Sequence, residues 1–234
     1  MNYQSHLNVA ALVMLSSYGA CASAEGTKPH DMSTAQHEAT AAREETDSKQ
    51  HGSQYAPGAS VESERCSDDG ACWTDKSNPT EQHQSDMLKH KQLAEQHRAA
   101  AQALRDAENR TCVGLSEEER VTSPFYHRQD IASVSKAEAS VSDGLGTHPA
   151  FVGGRVVFRA LPGMTAEWLQ RLVDCHLART AAVGFSMPEM SYCPLMLKGV
   201  NATVSSVGNG FAVNVTSKDP ETATEIWRRI QALK

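Results

Sequence analysis

Aromatic side chains are scarce in this 234-residue chain, at 6% of positions. With a mean hydropathy of −0.46, and with alanine making up much of the apolar fraction, there is too little bulky side chain for one core along the whole length. A basic excess is also missing. The 22 Lys+Arg are outnumbered by 28 Asp+Glu, for a net charge of −6, which argues against nucleic-acid phosphates or anionic lipid as partners. The sequence has no Gly-x-Ser-x-Gly elbow, phosphate-cradling loop, His-Glu-x-x-His or paired-carboxylate motif, so the familiar signatures of several enzyme classes are absent.

What is present begins with an address. Residues 1–24 read as an export signal. The apolar run from Val9 to Leu15 is too short to span a bilayer and is followed by small residues. Met1 to Asn8 carries His6 but no Lys or Arg, unlike the usual positive start. Two processing sites compete. Ala22-Ser23-Ala24 suits a signal peptidase, whereas Tyr18-Gly19-Ala20-Cys21 is similar to the lipobox of bacterial lipoproteins, in which Cys21 carries lipid.

Residues 25–86 hold few large apolar side chains, namely Met32, Tyr55, Val61, Cys66, Cys72 and Trp73. That is too little burial to offset the entropy of ordering them, so a disordered polar tether is expected. Within it, Cys66 and Cys72 flank the turn-prone Asp69-Gly70, a spacing that favours a small disulfide loop in an exported protein. Residues 87–112 read as an amphipathic helix capped by Asp86, with Leu93, Ala100, Leu104 and Ala107 on one stripe. His83, His90 and His97 recur every seventh residue. Two helical turns place such positions about 10 Å apart, too far for one ion to touch both, so they read as a solvated polar edge.

Residues 113–150 read as an irregular segment followed by a linker marked by Gly144, Gly146 and Pro149. Residues 151–234 carry the clearest pattern. A strand over Arg155–Ala160 precedes a helix capped by Thr165. A hairpin turns at Gly208-Asn209-Gly210, and Asp219-Pro220 opens a helix with Ala223, Ile226, Trp227, Ile230 and Leu233 on one face. The fold class is therefore α+β, with a C-terminal β-α-β-β-α unit similar to a ferredoxin-like sandwich that lacks its last strand. The vacant edge is open to Asp130–Ser135, to a second copy of the chain or to an envelope protein partner.

Besides Cys21, five cysteines remain: Cys66, Cys72, Cys112, Cys175 and Cys193. The expected bridges are Cys66–Cys72 and Cys175–Cys193, the latter worth about 3 kcal/mol on the loop-entropy model; a Cys112 bridge to Cys175 or Cys193 is the rival. Cys175, His176, Met187, Met190, Cys193 and Met196 form an alternative soft-metal set suited to copper, set against plain core packing. Cys112, His127 and Asp130 are the residue types of a thiolate, its base and an orienting carboxylate, which is the enzyme alternative.

Three stretches, Ala99 to Glu108, Ser123 to Ile131 and Pro162 to Gln170, resemble segments of uncharacterised exported bacterial proteins, some of them with lipoprotein signals. The resemblance spans about residues 93–233. It implies a cell-envelope location, either periplasmic or anchored at the outer membrane, and transfers no catalytic residue. Together these readings point to a binding or interaction protein rather than an enzyme, with no cofactor unless copper is bound.

Overall fold

The computed structural model describes residues 24–142 and 146–234. The expected signal, apart from Ala24, and the lipobox Cys21 lie outside the described residues, as does Gly144 of the expected linker. Among the described residues no helix is long and apolar enough to cross a membrane.

The polar stretch expected to be a tether is built instead of a helix and a hairpin. Ser33 opens α1 (Thr34–Gln54): its hydroxyl accepts from the Gln36 N–H while the Gln36 side chain accepts from the Ser33 N–H. After it come β1 (Val61–Cys66) and β2 (Cys72–Ser77), an exposed antiparallel ribbon whose ends are joined by a Cys66–Cys72 disulfide. Then α2 (Glu81–Thr111) returns along α1, starting several residues before the expected cap at Asp86.

The entropy argument for a tether counted only bulky side chains. Here Ala41, Ala94, Ala100 and Ala101 are nearly fully buried, and small side chains let two helices approach closely enough for polar groups to meet. His37, Glu44 and His51 recur every seventh residue on α1, as His83, His90 and His97 do on α2. Antiparallel pairing brings them together in register. His37 Nδ1 lies 2.9 Å from His97 Nδ1, Glu44 Oε2 lies 2.7 Å from His90 Nδ1, and His51 Nδ1 lies 3.1 Å from His83 Nδ1. The expected solvated edge is thus a half-buried to buried seam, flanked by Arg98–Glu45 and Arg105–Glu38 ion pairs.

Beyond α2 the chain forms a short helix, α3 (Glu117–Val121), with a Ser116/Glu119 capping box. The segment read as irregular then becomes β3 (Ile131–Ser142), paired antiparallel with β4 (Thr147–Arg159). Next are α4 (Ala166–Val183), β5 (Val200–Val207), β6 (Gly210–Ser217) and α5 (Pro220–Gln231). The four-stranded sheet has the order β3-β4-β6-β5, so the vacant edge is filled by the chain's own β3, longer than the expected Asp130–Ser135.

The first half of β4 pairs only with β3, while β6 joins from Gly153 onward. That explains how Pro149, read as a linker residue, sits inside a strand: its missing N–H is harmless where no second neighbour needs it. Gly153, at φ 144°, marks the step. A Cβ there would stand 2.3 Å from the Val215 carbonyl oxygen. The main core lies between the sheet and α4 and α5, with Val156, Leu169, Val173, Leu195, Val213, Val215, Ile226 and Ile230 at its centre.

The second disulfide joins Cys112 to Cys175, not Cys175 to Cys193. Cys112 caps the end of α2 beside α4, with its Cα 4.7 Å from that of Cys175, a separation a disulfide spans without backbone movement. Cys193 is left as a buried free thiol 3.2 Å from the Ser123 hydroxyl.

Candidate functional site

An enclosed apolar cleft lies between α3, the start of α4 and the end of β4. Its position follows from local sequence. Ser123-Pro124 ends the helical run, and Phe125 is driven fully inside, its ring 5.8 Å from that of Phe158. Thr165 caps α4 by accepting from the Trp168 N–H, which sets Trp168 on the first turn. The Trp168 indole N–H then donates to Glu119 Oε1 at 3.0 Å and ties α4 to α3.

The result is a cleft of about 200 Å³ floored by Phe158, Leu169 and Leu172 and walled by Pro124, Leu161, Met164 and Trp168. Glu118, Glu119, His127 and Asp130 stand among its lining, which includes no Lys or Arg. Glu119 is held below the usual carboxylate range, first by the Ser116 N–H, then by the Ser116 hydroxyl and the Trp168 N–H. It stays anionic, so the cleft pairs an apolar floor with negative charge.

The Cys112–Cys175 disulfide takes one thiol from each of the two sets of residues singled out for chemistry. Cys112 is bonded to Cys175 and has no thiolate to offer, so the Cys112, His127 and Asp130 set lacks its nucleophile even though His127 and Asp130 line this cleft. The soft-metal set loses the Cys175 thiol to the same bond. His176 Nε2 donates to the Glu119 carbonyl at 3.2 Å, and burial pushes its pKa down. Met196 Sδ accepts from the Thr180 hydroxyl at 3.0 Å. Met190 is buried, Met187 packs half-buried against the core, and burial pushes the Cys193 thiol up, which keeps it protonated. Cys175, Met190, Cys193 and Met196 are buried in the main core, with Met187 packed against it.

Sequence reasoning missed Glu119 and Trp168 as a pair, because they meet across 49 positions through a tertiary hydrogen bond. The Ser116-x-x-Glu119 box was the available local signal. It also missed His37, Glu44 and His51, although their sevenfold spacing mirrors that of the α2 histidines. Comparison with models of known protein families, with curated proteins and with solved structures finds no match to this chain.

Proposed function

We propose that the chain is an exported protein of the bacterial cell envelope whose α3–α4 cleft binds an apolar side chain of a partner protein, with a neighbouring basic residue on the acidic rim. The observation that carries this reading is the cleft itself. At about 200 Å³ it is smaller than the roughly 300–1,000 Å³ typical of small-molecule pockets and suits a single anchoring side chain. Its carboxylates, with no Lys or Arg in the lining, favour a positively charged neighbour to that anchor. The two disulfides among the described residues support maturation in an oxidising compartment. The C-terminal sheet and its helices are read as an incomplete ferredoxin-like sandwich completed by β3 from the N-terminal side.

Two measurements test the reading. Titration with acetyl-Phe-Lys-amide, followed by calorimetry, is expected to saturate, to weaken several-fold for acetyl-Phe-Glu-amide and to vanish in Trp168→Ala. Equal responses to both peptides sink the proposed recognition. Mass spectrometry of the native protein is expected to find either lipid on Cys21 or a mature end at Glu25, with both bridges closed. An intact Met1 with free thiols overturns export.

A further inference from the structure

A second site lies in the seam between α1 and α2, away from the cleft and independent of it. The donor atoms of Glu44, Asp47 and His90 lie within 4.8 Å of one another. Two come from one helix and the third from the other, and all three side chains are half-buried. We propose that Glu44, Asp47 and His90 bind a borderline divalent transition-metal ion of the zinc class, clamping α1 to α2.

Charge is the first reason. Glu44 and Asp47 sit one helical turn apart on α1, and like charges at that spacing repel. Glu44 is met by His90 at 2.7 Å, but the Asp47 carboxylate has neither a hydrogen bond nor an ion pair among the described residues. A divalent ion neutralises both carboxylates at once, which a single imidazole cannot do.

The donor set is the second. Two carboxylates with an imidazole suit zinc and its neighbours, whereas calcium and magnesium take all-oxygen shells and Cu(I) takes thiolate or thioether. More imidazole is at hand. The His51 ring stacks on that of His90 at 5.4 Å, and His51 follows Asp47 by one turn on the same helix. The other acid-and-sulfur group, Glu64 with Cys66 and Cys72, is exposed, and its sulfurs are spent in a disulfide.

The sevenfold spacing sets each α2 histidine opposite a His or Glu of α1, and the proposed site is the middle of these three layers. Polar layers between helices weaken association unless they are satisfied, and an ion crossing from α1 to α2 converts one such layer into a clamp.

The test uses the purified, oxidised full chain titrated with Zn²⁺ by calorimetry, with bound metal counted after dialysis. One Zn²⁺ per chain is expected, with a rise in the melting temperature and no comparable response to Mg²⁺. Asp47→Asn and Glu44→Gln keep side-chain shape, and they and His90→Ala are each expected to weaken Zn²⁺ binding at least tenfold. His30→Ala is expected to leave it unchanged. Circular dichroism of the metal-free variants verifies that the helices are intact. Absence of saturable Zn²⁺ binding, or binding by Asp47→Asn as tight as by the parent chain, overturns the site.

Discussion

His97 is almost wholly buried, and its Nδ1 faces that of His37. His37 Nε2 lies 3.1 Å from the Lys28 carbonyl, to which it donates, so in the neutral pair the His97 Nδ1–H donates to His37 Nδ1. Burial first, then the His37 charge, push the pKa of His97 down; Glu44 pulls it up in part, and Arg43 adds a smaller downward push. His176 is lowered by burial in the same direction. A histidine with a depressed folded pKa favours the native state fully above its unfolded value, about 6.5, and loses that contribution as the pH falls. The midpoint of urea unfolding is therefore expected to drop between pH 7.5 and pH 5. His97→Gln is expected to flatten the dependence without abolishing it, since His176 remains. A midpoint unchanged over that range contradicts this account.

At the scale of elements, the two disulfides do different work. The Cys112–Cys175 bridge closes a sequence separation of 63 and pins the end of α2 to α4. On the loop-entropy model it contributes about 4 kcal/mol, against about 2 kcal/mol for the Cys66–Cys72 bridge with its separation of 6. A Cys112→Ser/Cys175→Ser variant is expected to lower the stability of the C-terminal sheet by roughly the larger amount. Cys66→Ser/Cys72→Ser, confined to an exposed ribbon, is expected to leave the unfolding of that sheet unchanged. Denaturation followed through the buried core reads the difference. These elements also show what local pattern conveys. α5 was legible from Asp219, Pro220 and its Ile226–Ile230 face because cap and apolar stripe agree. By contrast, α1 buries only His37 and Ala41, so its polar sequence looks like a tether until α2 lies against it.

For the whole molecule, the helical hairpin meets the C-terminal unit where Leu104 of α2 packs with Ala181 and Ala182 of α4, beside Phe185. The contact is tight at the end of α4. Gly184 adopts φ 83°, and a Cβ there would stand 2.8 Å from the Ser33 Cβ, so the left-handed cap that ends α4 also admits the start of α1. Leu104→Ala is expected to cost about 2–5 kcal/mol, the range for truncating a buried leucine. Hydrogen exchange is expected to rise in α1 and the adjoining turns of α2 while β4 and β6 stay protected. Uniform loss of protection across both units contradicts a separable docking contact.

Sequence by itself determined the α+β class, the β5–β6 hairpin, the caps of α4 and α5 and the Cys66–Cys72 bridge, because each depends on neighbours a few residues away. Tertiary structure alone decided the Cys112–Cys175 pairing, the filling of the sheet edge by β3, the acid-rimmed cleft and the register of histidines across α1 and α2. Those features join residues tens of positions apart. No local propensity carries their distance, which exists only once the helices and the sheet have packed.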